Sequence, residues 1–93
     1  MTMLVVISYD ITDDKTRLRV HKELMRWGYA VQKSVFEAHL SERQTERMME
    51  RVARLIDPEK DSIRIYRLCS RCERQCEYLG LAEPTPDPDF WIV

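Results

Sequence analysis

The sequence predicts an α+β domain of four strands and two helices, in the order strand, helix, strand, strand, helix, strand. Three observations indicate it: an unbroken apolar run near the N-terminus, two amphipathic segments that begin with capping residues, and β-prone stretches beside them. This order is the split βαβ arrangement of ferredoxin-like sandwiches. With 93 residues, of which 44% are hydrophobic and 33% charged, the chain suffices for one folded domain.

The first strand is predicted at Met3–Ile7, because these five apolar residues lack the alternation of a strand exposed on one side. It should therefore be central in its sheet. The segment Thr12-Asp13-Asp14 then supplies a cap and first-turn carboxylates for a helix that reaches Trp27 and stops at Gly28. Helical periodicity places these residues on its inner half: Leu18, Val20, His21, Leu24, Met25 and Trp27.

Two β-prone stretches, Tyr29–Gln32 and Val35–Leu40, are separated by two residues and should form a hairpin. The second helix should begin at Ser41, because Ser41-Glu42-Arg43-Gln44 has the spacing of a capping box, and should end before Pro58. The fourth strand is predicted at Ser62–Leu68, where apolar and polar residues alternate. The buried face of the second helix carries apolar residues at helical spacing: Met48, Met49, Val52, Leu55 and Ile56.

The chain beyond the fourth strand is predicted in two parts. Residues up to 80 complete the domain, with a short strand at Cys76–Leu79 that ends at Gly80. Residues 81–93 form a tail, in which Pro84–Pro88 must be extended and the apolar Phe90–Val93 should add an extra strand to a sheet edge. Because two helices cover only one face of the sheet, a second subunit could cover the other.

The charge balance limits the kind of nucleic-acid contact that the chain can make. Fifteen Lys and Arg against sixteen Asp and Glu give a formal net charge of -1, so such a contact needs a local basic patch. Glutamates surround the arginines of the second helix (Arg43, Arg47, Arg51 and Arg54), and an ion-paired surface is the favoured interpretation there. The preferred phosphate-binding surface is the basic face of the first helix: Lys15, Arg19, Lys22 and Arg26.

We expect a cytoplasmic protein without a membrane span. The N-terminal apolar run is much too short to cross a bilayer and lacks the basic region and cleavage site of a signal peptide. The odd number of cysteines, Cys69, Cys72 and Cys76, fits a reducing compartment. Surface or packing thiols are the favoured interpretation, because a zinc site would lack its fourth ligand and a redox CxxC motif is expected between a strand and a helix start.

Asp10 follows the first strand, at the carboxyl end where ligand sites of mixed sheets often lie. Either it binds a metal or its carboxylate bonds turn amides, and the sequence leaves both alternatives open. One carboxylate is a poor site for a hard ion such as Mg²⁺, so a dimer that pairs two copies of Asp10 would supply the missing ligand. We interpret His21 as a packed histidine rather than a general base, and spacing assigns no nucleophile to His39.

Several segments together form a specific pattern that covers nearly the whole chain and is loosest in the tail. They are Tyr9-Asp10-Ile11-Thr12-Asp13-Asp14, Arg17, Gly28, Val31-Gln32-Lys33-Ser34-Val35-Phe36-Glu37, Ile63-Arg64-Ile65-Tyr66 and Glu77-Tyr78-Leu79-Gly80. This pattern resembles that of the Cas-two family of CRISPR-associated endoribonucleases, the small CRISPR adaptation proteins.

The resemblance implies a ferredoxin-like homodimer whose sheets pack face to face, with each C-terminal strand joining the partner's sheet. It implies an endonuclease, dependent on Mg²⁺ or another divalent cation, that hydrolyses phosphodiester bonds of RNA or duplex DNA. Asp10 would be its metal ligand and catalytic residue, and Tyr9, Arg17, Ser34 and Phe36 match motif positions that shape the cleft.

The resemblance also implies a partner, the CRISPR integrase Cas-one, whose dimers this dimer bridges during spacer acquisition. Two alternatives to a nuclease follow from the same likeness. One is a non-catalytic dimer that bridges duplex DNA within the integrase complex. The other is a toxin-like ribonuclease of the same fold.

Overall fold

The computed structural model describes residues 1–87, and the order of its main elements is the predicted one. The elements are β1 (Met3–Asp10), α1 (Asp14–Leu24), β2 (Tyr29–Gln32), β3 (Val35–Leu40), α2 (Glu42–Ala53), β4 (Ser62–Leu68) and α3 (Ser70–Glu73). The domain is therefore α+β and ferredoxin-like, as predicted. Within residues 1–87, no helix has the length and apolar character needed to cross a membrane.

The four strands form one antiparallel sheet in the order β2-β3-β1-β4. β1 is central, as predicted, and continues beyond Ile7 to Asp10. Val6 in its middle lies opposite Glu37 of β3 and Tyr66 of β4. The central strand therefore carries Asp10 to the edge of the core, directly before α1.

One face of the sheet packs against α1 and α2, and the hydrophobic core lies between these two layers. Successive strand residues point to opposite faces, so every second residue of β1 enters this core. On the other face, which the two helices leave uncovered, Val6 is half-buried and Tyr66 is exposed. The core residues are Val5, Ile7, Tyr9, Ile11, Val20, Leu24, Phe36, Ala38, Leu40, Met48 and Val52.

The buried stripe of α1 is narrower than the sequence predicts. Val20 and Leu24, one turn apart, are buried. Leu18 and Met25 are 53% and 60% exposed, so their predicted place in the core is wrong. Leu18 lines a surface cleft described below, and Met25 already lies in the turn that ends the helix. Helical periodicity predicts that half of the surface of α1 faces the core. In the structure, the buried part of α1 is one row of residues at i and i+4, Val20 and Leu24.

Gly28 ends the turn after α1 at a place where β3 comes very close. Its N–H donates a hydrogen bond to the carbonyl oxygen of Leu24 (3.1 Å). A Cβ atom at Gly28 would overlap the carbonyl oxygen of Glu37 and the side chain of Ala38. α1 itself ends at Leu24, before the predicted Trp27, and the turn that follows needs glycine at position 28 because another strand occupies the space of a side chain.

α2 begins with the predicted capping box. The Ser41 hydroxyl accepts a hydrogen bond from the Gln44 N–H (3.1 Å), and the Gln44 side-chain oxygen accepts one from the Ser41 N–H (2.8 Å). Met48 and Val52 are buried in the core, as predicted. The remaining predicted residues pack partly buried against it: Met49, Leu55 and Ile56.

The chain after β4 differs from the prediction. Ser70–Glu73 forms a single helical turn, α3, and the short strand predicted at Cys76–Leu79 is absent. The Cys76 N–H donates to the carbonyl oxygen of Glu73 (3.1 Å), so the segment begins as a continuation of that turn. Leu79 is 89% exposed, and Gly80 turns the chain with a φ of 67°. The apolar residues here therefore lie at the surface.

The described part of the tail lies over β3 of its own chain. The Thr85 hydroxyl donates to the Glu37 carboxylate (2.6 Å), and the Thr85 carbonyl oxygen lies 3.1 Å from His39 Nε2. The Asp87 carboxylate lies 3.8 Å from His39 Nδ1. The predicted extra strand, Phe90–Val93, falls outside the described residues. Pairing of residues 81–93 with a partner subunit stays a prediction.

Candidate active site

Asp10 is exposed at the end of the central strand, and a different residue caps the helix that follows. The Asp13 carboxylate accepts hydrogen bonds from the Thr16 N–H (2.8 Å) and hydroxyl (2.9 Å). The backbone N–H of Thr16 is the main reason why the pKa of Asp13 is lowered. Because Asp13 performs the capping, the exposed carboxylate of Asp10 is not needed to begin α1.

A cleft of about 690 Å³ opens beside Asp10, between the end of β1, the first two turns of α1 and the β2–β3 turn. Four residues that the sequence analysis assigned to the site line it together: Tyr9, Asp10, Arg17 and Ser34. The other lining residues are Ile11, Asp14, Leu18, His21 and Lys33. The fold therefore brings one carboxylate of β1 together with cations from a helix and a hairpin turn.

Arg17 spans the connection between β1 and α1. Its Nη1 donates to the carbonyl oxygen of Ile11 (3.0 Å), and its Nη2 forms an ion pair with the Asp14 carboxylate. A guanidinium group held by two acceptors presents its charge in a fixed position. Arg17 thus both braces the loop after Asp10 and contributes a fixed positive charge to the cleft.

Tyr9 joins the central strand to the hairpin turn. Its N–H donates to the Ser34 carbonyl oxygen (3.1 Å), and its hydroxyl donates to the Lys33 carbonyl oxygen (3.3 Å). The same hydroxyl lies 3.5 Å from His21 Nδ1. Burial raises the pKa of Tyr9, and the nearby charge of Arg17 opposes that effect. Tyr9 is therefore a neutral phenol at physiological pH, and it positions the turn.

Phe36 does not line the cleft but lies beneath it, fully buried. Its ring meets that of His21 edge to face, with centroids 5.1 Å apart, and lies 6.3 Å from the Tyr9 ring. His21 is half-buried, which agrees with its interpretation as a packed histidine, yet it also faces the cleft. Helical periodicity predicts His21 on the inner half of α1 but does not predict that its side chain also lines the cleft.

The predicted phosphate-binding surface is exposed throughout: Lys15, Arg19 and Lys22 lie on α1, and Arg26 lies in the turn after it. Glu23, which interrupts it in sequence, lies 3.8 Å from the Arg26 guanidinium of this surface but makes its shorter contacts elsewhere. Its carboxylate binds Arg51 of α2 (2.7 Å) and accepts a hydrogen bond from the Trp27 indole (3.1 Å). The Arg51 hydrogen bond is the main reason why the pKa of Glu23 is lowered. Glu23 therefore ties α1 to α2, and the exposed Lys15, Arg19 and Lys22 keep the outer face of α1 basic.

Carboxylate oxygen is the donor that Mg²⁺ prefers, and Asp10 fits that preference. Among residues 1–87, however, no three His, Cys, Asp or Glu side chains lie together as a metal site. Asp14, the other carboxylate of the cleft, is paired with Arg17. Among the described residues, one chain therefore provides a suitable ligand but not a complete set, and the pairing of two copies of Asp10 stays a prediction.

These features define a class of protein: a small ferredoxin-like domain with an exposed carboxylate and neighbouring cations at the end of its central strand. A family profile described as CRISPR associated protein Cas2 matches residues 3–76, which include every residue of the cleft. The chain belongs to the Cas2 family, the family whose pattern it resembles in sequence.

Individual relatives agree with this assignment. The chain is 42% identical over 93 residues to a protein of Chloroflexus aurantiacus named CRISPR-associated endoribonuclease Cas2 3, with 100% of each covered. The crystal structure of Streptococcus pyogenes Cas2 is similar with a TM-score of 0.72 and 32% identity, covering 84% of this chain and 100% of that one. A chain of a partial Cas6-RT-Cas1–Cas2 complex is similar with a TM-score of 0.71 and 28% identity, covering 85% of each.

Proposed function

We propose that this chain forms a homodimer that hydrolyses phosphodiester bonds of RNA or DNA with a divalent metal ion and works with the CRISPR integrase Cas1 in spacer acquisition. The observation that carries the proposal is the exposed carboxylate of Asp10 in a cleft that also holds Arg17 and Lys33. A carboxylate beside cations suits an ion together with a phosphate group. The relative named an endoribonuclease supports the same activity.

Asp10 of each subunit would hold the metal, which we propose to be Mg²⁺. When bound, such an ion lowers the pKa of a water molecule and stabilises charge on phosphoryl oxygens. Arg17 and Lys33 would bind and orient the phosphate, because both line the cleft beside Asp10. Tyr9 holds the turn that carries Lys33, and it is a positioning residue.

The fold supports the dimer in one further respect. By strand alternation, Asp10 follows Val6 and Ser8 along the sheet face that α1 and α2 leave uncovered. A dimer that buries these faces against each other would bring the two copies of Asp10 toward one interface. The metal site would then be shared between subunits, which explains why one chain holds a single carboxylate ligand.

Cleavage assays test this proposal on the intact protein. Single-stranded RNA and duplex DNA are each incubated with the protein in the presence of Mg²⁺, Ca²⁺ or EDTA. The proposal expects products with Mg²⁺ and none with EDTA, since the catalytic group is a bound ion. Equal cleavage with Mg²⁺ and with EDTA would overturn it.

A second candidate function is a non-catalytic bridge, and the likeness to a chain in a partial Cas6-RT-Cas1–Cas2 complex favours it. In that role the basic face of α1 binds duplex DNA, and Asp10 is not used for cleavage. A shared assembly does not exclude nuclease activity. The two functions are separated by comparing spacer acquisition and cleavage in one variant, Asp10→Asn.

A further inference from the structure

The three cysteines lie around α3, where β4 leaves the sheet. Cys69 directly follows the last residue of β4 and is the N-cap of α3, and Cys72 lies one turn later. The sequence argues against a redox role, because it predicts no helix directly after Cys69. In the structure, the Cys69-x-x-Cys72 motif lies between β4 and the single helical turn α3. This is the strand-to-helix position at which a redox CxxC motif is expected.

Two of the three thiols face each other at the surface. The Sγ atoms of Cys69 and Cys72 are 3.6 Å apart, and both residues are exposed. A disulfide bond is about 2.05 Å long, so the sulfur atoms need to approach by only about 1.5 Å. The Sγ atom of Cys76 instead lies 3.9 Å from the backbone carbonyl oxygen of Cys72, and Cys76 is half-buried.

We propose that Cys69 and Cys72 are a dithiol site that a low-molecular-weight disulfide, such as glutathione disulfide, oxidises reversibly to an intramolecular disulfide. The proposal is independent of the nuclease activity. It rests on the contact between the two sulfur atoms, their common exposure and their place at one turn of the chain.

The exchange proceeds in two steps. The Cys69 thiolate attacks one sulfur of glutathione disulfide, a mixed disulfide forms, and one glutathione leaves as a thiolate. The Cys72 thiolate then attacks the Cys69 sulfur and displaces the second glutathione. Two protein thiols are oxidised, one glutathione disulfide is reduced to two thiols, and the two protons pass to the glutathione thiolates.

The surroundings assign the attacking role to Cys69. The backbone N–H of Cys72 and then its thiol favour the Cys69 thiolate and lower the pKa of Cys69, although the sulfur makes no regular N-cap hydrogen bond. The same sulfur–sulfur contact raises the pKa of Cys72. Cys69 is thus the more easily ionised thiol, and Cys72 is placed to resolve the mixed disulfide.

Digestion with trypsin shows which cysteines are linked, because arginines separate the three cysteines in sequence. Cleavage after Arg67, Arg71 and Arg74 places them in three peptides, 68–71, 72–74 and 75–93. The full-length protein is equilibrated in glutathione redox buffers, its free thiols are alkylated, and the peptides are identified by mass spectrometry. The expected product is 68–71 linked to 72–74, with Cys76 alkylated.

Variants and the unfolded chain provide the controls. Cys76→Ser should retain the link, and Cys72→Ser should accumulate a glutathione adduct on Cys69. The redox buffers are compared by the concentration of glutathione disulfide divided by the square of the concentration of reduced glutathione. The ratio at which half of the protein is oxidised should be about tenfold lower for the folded than for the urea-unfolded chain, because the fold holds the two sulfur atoms close together. Links to 75–93, stable glutathione adducts on both Cys69 and Cys72, or equal oxidation of folded and unfolded chains would each overturn the proposal.

Discussion

The Tyr9 hydroxyl lies 3.3 Å from the carbonyl oxygen of Lys33, so a residue of the central strand holds the hairpin turn that forms one wall of the cleft. The Tyr9 ring itself is part of the core and packs near Phe36. The cleft is therefore built partly from core residues, and changes in the core should alter the site.

Tyr9→Phe removes the hydroxyl but keeps the ring in the core. It should lower the free energy of unfolding by about 0.5–1.5 kcal/mol, since one hydrogen bond to the turn is removed. It should also weaken substrate binding more than turnover, because Lys33 is no longer held. Urea denaturation and the KM and kcat of cleavage measure the two effects. Glu46→Gln, at an exposed residue of α2, is the control and should change neither.

The ion pair between Glu23 and Arg51 should give a pH-dependent stability. The pKa of Glu23 is lowered from 4.5 in the folded chain, mainly by Arg51. Its contribution to stability is therefore fully present above pH 4.5 and is lost as the pH falls through the lower folded pKa. The stability difference between the wild type and Glu23→Gln should be largest at neutral pH and vanish in acid. Urea denaturation across this range checks it, and a constant difference would contradict it. Glu46→Gln, at an exposed residue of α2, is the control.

The basic face of α1 should determine the salt dependence of nucleic-acid binding. Replacing Lys15 and Lys22 by Gln should weaken duplex binding and reduce the slope of log affinity against log salt by about 0.9 for each phosphate that is no longer neutralised. Fluorescence anisotropy over a range of salt concentrations measures the slope. Lys60→Gln removes one positive charge in the exposed loop before β4, half the change of the double variant, and should leave the slope as it is. An unchanged slope in the double variant would rule out this face.

The tail should stabilise the dimer through its apolar end. Deletion of residues 90–93 removes the apolar segment but leaves the contacts of Thr85 with Glu37 and His39. If Phe90–Val93 pairs with the partner, this deletion should already weaken the dimer, and deletion of residues 84–93 should weaken it at least as much. Sedimentation velocity over a range of dilutions measures dissociation. A dimer that is unchanged in both variants would eliminate tail exchange.

Much of the fold could be predicted because the local sequence patterns agree with the place that each element takes in the fold. The apolar run of β1 predicts a central strand, and the capping box at Ser41 predicts the start of α2 to within one residue. The segment Cys76–Leu79 was predicted wrongly, because short apolar stretches do not show whether a sheet neighbour exists for them.

The site was predictable only in part. Asp10, Arg17 and Ser34 follow from the family pattern, and the structure gathers them in one cleft. The sequence does not assign His21 and Lys33 to the cleft, although both line it. Helical periodicity and turn patterns describe one element at a time and do not show which side chains from different elements lie together. The proposed pairing of Asp10 with a second copy depends on another chain, and the pattern of one chain does not contain that geometry.

Spacer acquisition separates the nuclease from the bridge. In cells that carry the integrase and a repeat array, Asp10→Asn should leave acquisition intact if the biological role is the bridge, since the basic face of α1 is unaltered. Loss of acquisition together with cleavage would assign the role to the chemistry of Asp10. Glu46→Gln, expressed to the same level, should acquire spacers like the wild type.

The most direct test of the central claim is Mg²⁺-dependent cleavage by purified Asp10→Asn. This substitution preserves size and removes the charge that a divalent ion needs, and Asp10 is exposed, so the fold should be retained. The account predicts that Asp10→Asn loses cleavage while sedimentation shows the wild-type dimer, and that Glu46→Gln cleaves normally. Cleavage by Asp10→Asn at the wild-type rate would contradict the assignment of Asp10 as the metal ligand.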